Sequence, residues 1–136
     1  MNDDLKVQRL QPLRVLLSGR DRRYLRSTSF LLSQRGYEVL ETSPRQTIQS
    51  VERHRPEVVL LESNDSRGIA ARQVAALQSL AVVPSVLLVV EDPDDERWRG
   101  LRTVRKWLSI NDLTEAIEAA ARNRPTPLLD VERAYP

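Results

Sequence analysis

Glu57-Val58-Val59-Leu60-Leu61 is too short a run for a helix and is apolar at nearly every position. A strand with one wet face alternates apolar and polar residues. A strand that is apolar at consecutive positions is dry on both faces, as a central strand of a parallel sheet must be. Pro56 sits just ahead of the run and biases the residue before it away from helix.

The same kind of run recurs on either side. Leu13–Ser18 (LRVLLS) is a short apolar stretch closed by Gly19, and Ser85–Val90 (SVLLVV) is a second one opened by Pro84. Tyr37–Thr42 (YEVLET) alternates, and Leu101–Trp107 reads as a short strand. Between the runs the period changes. Arg22–Gln34 places Tyr24, Leu25, Thr28, Leu31 and Leu32 three and four apart, with Asp21 as cap and Gly36 just past the end. Ser43-Pro44 opens a second helix running to about His54, with Ile48 and Val51 inward. After a turn at 64–68, Ile69–Leu80 is Ala-rich and periodic. Ser109 caps a last helix, with Asp112 in the capping-box position, that runs to about Arg122 and turns Leu113, Ile117 and Ala120 inward. Glu91–Glu96 is an acidic loop, and Arg97–Gly100 has room for at most one helical turn.

Strand and helix thus alternate along the chain. That grammar predicts an α/β three-layer sandwich: a parallel sheet, right-handed crossovers, helices on both faces. For a small doubly wound domain of five strands the flavodoxin-like order 2-1-3-4-5 is expected, here with the fourth helix shortened. The expected organisation is a loose arm at 1–12, one domain at 13–123 and a Pro-bearing tail at 124–136. The tail also leaves open that the chain belongs to a larger regulator.

Composition narrows the function classes. The 136 residues carry no cysteine and one histidine, His54, so thiolate and multi-His metal sites are excluded. Net charge is +2, and the pI near 9.4 reflects arginine in excess over the lysines, Lys6 and Lys106. Nothing there, and no recognition-helix module, points to direct nucleic-acid binding. No apolar run approaches the roughly 18 residues of a membrane span, and Met1–Leu10 has no secretory h-region, so the expected location is the cytoplasm. No Gly-rich phosphate loop or nucleophile motif is present, and no cofactor and no enzymatic activity are expected.

The stretch LRVLLSG…LLSQRGYEVLETS…RPEVVLLES resembles the receiver (CheY-like, response-regulator) domain of two-component phosphorelay systems, above all at Gly36-Tyr37-Glu38-Val39 and Arg55–Leu61. The likeness spans roughly Leu13 to Arg122. It implies a phosphoryl-accepting switch: an acidic pair after the first strand holding Mg²⁺, an Asp ending the third, a Ser or Thr ending the fourth, and a Lys ending the fifth. Matched residue by residue, Gly19 and Arg20 stand at the acidic pair, or Ser18 and Gly19 with a one-residue slip, and Asp21 is the one carboxylate close by. Glu62 stands at the acceptor, Val89 at the hydroxyl and Lys106 at the lysine, followed by Trp107 where proline is usual. Mg²⁺ requires carboxylates and water in octahedral array, and Arg20 would set a like charge in its place. The resemblance therefore implies a pseudo-receiver, a degenerate pocket that works by protein–protein interaction without phosphorylation.

Several readings stay open at this level. Glu62 is either a built-in mimic of the phosphorylated state or a plain salt bridge to Lys106 or Arg20. Arg20, Arg22, Arg23 and Arg26 form either an anion or nucleotide sensor site or, as favoured here, a solvated helix face. Arg97, Trp98, Arg102, Arg105 and Trp107 form the expected partner-binding surface, with a second copy of the chain among the candidate partners; the alternative is that the tryptophans fill the space left by the shortened helix. A conventional phosphorelay receiver using Glu62 is a further alternative.

Overall fold

The structure, a computed structural model, describes residues 11–63 and 66–123. The expected arm at 1–12, but for Gln11 and Pro12, and the tail at 124–136 lie outside the described residues, as do positions 64 and 65 of the expected turn. The elements are β1 (Arg14–Ser18), α1 (Arg22–Gln34), β2 (Glu38–Thr42), a 3₁₀ turn (Pro44–Gln46), α2 (Thr47–His54), β3 (Val58–Glu62), α3 (Arg67–Gln78), β4 (Ser85–Val90), a second 3₁₀ turn (Glu96–Trp98), β5 (Thr103–Arg105) and α4 (Ile110–Arg122). All strand pairs are parallel, in the order β2-β1-β3-β4-β5. This is the expected α/β doubly wound sandwich, with the helix between β4 and β5 reduced to one 3₁₀ turn.

Two cores follow from the alternation of side chains along each strand. Val15, Leu17, Val58, Leu60, Leu87, Val89 and Val104 pack on one face against Tyr24, Leu25 and Leu32 of α1 and Leu113, Ile117 and Ala120 of α4. Leu16, Val59, Leu61, Val86, Leu88 and Val90 face the other way, onto Val51 of α2 and Ala70 and Leu77 of α3. β3 and β4 are buried nearly throughout, whereas β2, an edge strand, is only half-buried.

Element ends depart from the sequence reading for local reasons. The Ser43 side chain makes no capping bond; its carbonyl instead accepts from Gln46 N–H and from the Thr47 hydroxyl, which tightens the first turn to 3₁₀. α2 ends on Arg55 in the left-handed conformation (φ 49°), ahead of Pro56. α3 starts earlier than Ile69, because the Ser66 hydroxyl accepts from Ile69 N–H. β5 is shorter than Leu101–Trp107: its register with β4 covers only Thr103 to Arg105, and Trp107 turns to φ 63°, outside strand geometry. Among the described residues no helix is long and apolar enough to cross a membrane.

Candidate functional site

In this strand order the chain leaves β1 and β3 in opposite directions, and the crevice beyond their carboxyl ends is where such folds place sites. Three segments converge there. Gly19–Asp21 turns from β1 into α1, Glu62 is the last residue of β3, and Lys106 follows directly on β5.

Glu62 is at the centre, its side chain only 4% exposed. Its Oε1 accepts from the backbone N–H groups of Arg20 (2.9 Å) and Asp21 (3.1 Å), and its Oε2 accepts from Lys106 Nζ (2.9 Å). Lys106 Nζ also donates to Asp21 Oδ2 (2.7 Å), while Asp21 Oδ1 accepts from Tyr24 N–H (3.1 Å) and so caps α1. The cap and the ion pair use different oxygens of one carboxylate. The ammonium lies 5.5 Å from the centre of the Tyr24 ring, and Glu91 approaches it at 3.8 Å from an exposed position. Gly19 leaves the room: a Cβ there would fall 2.7 Å from the Glu62 Cβ and collide with its carboxylate.

Two carboxylates face one ammonium in this cluster, and the two backbone N–H groups meet the remaining charge on Glu62. The hydrogen bond from Lys106, then that from Tyr24 N–H, hold the Asp21 carboxyl below its ordinary range. Burial works against the charge on Lys106, but the bonds to Asp21 and Glu62 outweigh it, so the ammonium is held above the usual lysine range. Burial, the largest influence on Tyr24, raises its phenol.

The resemblance implies a Mg²⁺ site at this crevice, and these residues do not fit one. The oxygens that would grip the ion belong to Asp21 and Glu62, and Lys106 Nζ lies between them within 2.9 Å of each. Where the resemblance puts the acidic pair, Gly19 offers no side-chain oxygen and Arg20 turns its main-chain N–H to Glu62 Oε1 at 2.9 Å, a donor in the place of a metal ligand. No group of three or more His, Cys, Asp or Glu among the described residues could hold a metal ion.

Of the residues singled out from sequence, Gly19, Arg20, Asp21, Glu62 and Lys106 do come together. Val89 lies opposite Glu62 in the β3–β4 register, fully buried, so the place of a hydroxyl is taken by methyls of the core. Arg20 requires a correction. Its guanidinium does not fill the pocket: the main-chain N–H points at Glu62, and the exposed side chain keeps its charge in water.

The expected partner-binding set divides. Trp98 is only 4% exposed and packs in the α2/α3-side core, with the Arg97 guanidinium 5.2 Å over its ring, so it is not an exposed anchor. Burying an indole there replaces the packing that a full helix would supply. Trp107 is 55% exposed and meets Tyr24 edge-on at 5.0 Å. Arg102, just before β5, and Arg105, its last residue, are exposed, Arg105 donating to the Glu91 carbonyl, and Arg97 pairs with Asp95 at 2.9 Å.

Two members of the cluster escape the sequence reading. Tyr24 reads as an ordinary inward helix position, and Glu91 as one acid in a solvated loop. The spacing of Asp21 and Tyr24, cap and third helical residue, is the one signal that ties the tyrosine to the site.

No protein-family model matches the chain, and no curated protein matches it. Solved structures do. A signal receiver domain from Mycobacterium tuberculosis superposes with a TM-score of 0.70 at 17% identity, covering 84% of this chain and 99% of that one. A CheY-like response regulator receiver domain from Methylobacillus flagellatus gives 0.67 at 15% identity over 81% and 99%. One from Methanospirillum hungatei JF-1 gives 0.66 at 17% identity over 84% and 97%. The strand order, the layers and these superpositions agree that the chain has the CheY-like receiver-domain fold.

Proposed function

We propose that the chain is a pseudo-receiver: a non-enzymatic signalling domain that works in the cytoplasm by binding a protein partner and is not switched by phosphorylation. The observation that carries this reading is the missing acidic pair: Gly19 has no side chain, and Arg20 turns only its main-chain N–H to Glu62 Oε1, at 2.9 Å. Phosphoryl transfer is mainly positioning and neutralisation of charge by a metal ion. Here the carboxylate at the acceptor position is engaged by an ammonium and two N–H groups, and no metal-binding group accompanies it among the described residues. The cluster acts as a permanent latch joining the ends of β1, β3 and β5. A latched scaffold leaves surface recognition as its output, and the half-exposed Trp107 with Arg102 and Arg105 is the surface best suited to it.

The test is direct. The chain is incubated with Mg²⁺ and acetyl phosphate and its intact mass recorded; in parallel, beryllofluoride with Mg²⁺ is titrated while amide NMR signals are followed. The expected result is an unchanged mass and no saturable shift at Arg20, Asp21, Glu62 or Lys106. A phosphoryl adduct, or a saturable shift at those residues, overturns the reading.

A further inference from the structure

The exposed face of α1 has two unlike halves. Arg23, Arg26 and Phe30 stand three and four residues apart in one solvent-facing stripe, flanked by Arg22 and Leu31. Phe30 is 60% exposed and Leu31 43%. The arginines are badly placed for the helix alone. They crowd its first turns, where the macrodipole favours acids, and no acid stands in the first turn. Arg22 and Arg26, four apart, repel one another. None of the three is in an ion pair among the described residues. A segment that suits this face is apolar toward the end of α1 and acidic toward its start.

The sequence after α4 has that order. α4 shares a core with α1, and Tyr37, just past α1, donates to Glu118 of α4 at 2.6 Å. The hydroxyl of Ser85, the first residue of β4, donates to the Ala120 carbonyl near the end of α4. Both helices therefore end at the same edge of the sheet, and the chain leaves Asn123 at the end of α1 that carries Phe30 and Leu31. It continues Arg124-Pro125-Thr126-Pro127-Leu128-Leu129-Asp130-Val131-Glu132. The prolines oppose a longer α4. Residues 124–127 reach about 13 Å when extended, enough to cross the roughly 8–10 Å between packed helices. From Leu129 to Glu132 an extended chain covers about 10 Å, which is also the rise of α1 from Phe30 back to Arg23.

We propose that residues 128–132 lie along the exposed face of α1, with Leu128 and Leu129 on Phe30 and Leu31 and the carboxylates of Asp130 and Glu132 toward Arg26 and Arg23. Bound there, the segment closes the α1 face to other proteins. The proposal does not depend on the pseudo-receiver reading.

The chain holds no cysteine, so Arg133→Cys carries a nitroxide at one place, and its broadening of amide NMR signals is mapped in the full chain. Strong broadening is expected at Arg22, Arg23 and Arg26, the end of α1 far from Asn123. Phe30→Glu should abolish it. Arg26→Glu should weaken it, and Asp130→Arg in the same chain should restore it. Phe30 and Arg26 are exposed, so these changes leave the core intact. Nitroxide-bearing chain mixed with isotope-labelled chain that lacks the nitroxide should give no broadening. Four results each overturn the proposal: broadening centred on Arg35 and Gly36 instead, broadening that survives Phe30→Glu, a charge swap that restores nothing, or equal broadening in the mixed sample, which makes a second copy the occupant.

Discussion

Lys106 is the residue on which the site turns. With its side chain 6% exposed, it is the ammonium that compensates the buried Glu62. Lys106→Met should cost about 3–5 kcal/mol in urea unfolding, because a buried carboxylate is left without its cation. Adding Glu62→Gln should return much of that loss, since an amide oxygen still accepts from the Arg20 and Asp21 N–H groups without a charge to bury. A Lys106→Met penalty below about 1 kcal/mol would mean that the cluster is only a surface ion pair. Asp21 governs the acid side. Its carboxyl titrates lower in the fold than in the unfolded chain, through the Lys106 bond first and the Tyr24 N–H second. Its contribution is therefore complete above the unfolded value near 3.9 and disappears as pH falls through the lower native value. Lys106 runs the other way: its contribution is complete below about 10.4 and is lost only as pH rises through the elevated native value. Stability should be level through neutrality with respect to this pair. In Asp21→Asn the urea midpoint should fall less steeply between about pH 5 and 2 than in the parent chain; an identical acid limb refutes the assignment. Sequence showed that Asp21, Glu62 and Lys106 were the candidates. It did not show that a carboxylate one position past the expected acidic pair reaches Lys106, because that depends on the path of the Gly19–Asp21 turn, which no periodicity records.

Between β4 and β5, where a full helix is expected in this architecture, the chain makes a single 3₁₀ turn, Glu96–Trp98, capped by the Asp95 carboxylate on Arg97 N–H. Trp98 alone then covers that part of the α2/α3-side core, among Val90, Leu101 and their neighbours. Trp98→Ala should lower stability by about 3–5 kcal/mol, the usual cost of emptying a large buried aromatic site. Trp98→Phe should cost clearly less, and thermal unfolding followed by circular dichroism separates the two. Equal and small effects would show that the turn is held by its polar bonds instead. This element explains what was legible and what was not. The run Val58–Leu61 and the helix Arg22–Gln34 are readable because burial on two faces or on one stripe leaves its own period in the sequence. The Arg97–Leu101 segment has no such period, so its shortness was visible but the direction of its tryptophan was not. The end of β5 was illegible for a related reason: Trp107 has high strand propensity, yet its left-handed φ of 63° ends the strand.

Across the whole molecule, the latch joins three strand ends and each sheet face has its own core. For the proposed surface recognition, the two exposed aromatics among the described residues offer a controlled comparison. Phe30 is 60% exposed on α1, and Trp107 is 55% exposed past the end of β5, two residues after the exposed Arg105. A bulky residue at positive φ carries about 1–3 kcal/mol of strain that something must offset. Among the described residues the Trp107 ring contact is edge-on, with Tyr24. Glycine at this position would relieve the strain while giving up that contact, so Trp107→Gly should alter stability by no more than about 1 kcal/mol. If Trp107 is held in this conformation for a partner, the same change should weaken binding by about 2 kcal/mol or more, roughly thirtyfold. The measurement is affinity capture with each variant as bait, together with sedimentation of the chain alone to include a second copy as partner. Loss of a species with Trp107→Gly and its retention with Phe30→Ala is the expected pattern. An unchanged set of bound species and an unchanged sedimentation profile with Trp107→Gly would exclude this face and direct attention to α1.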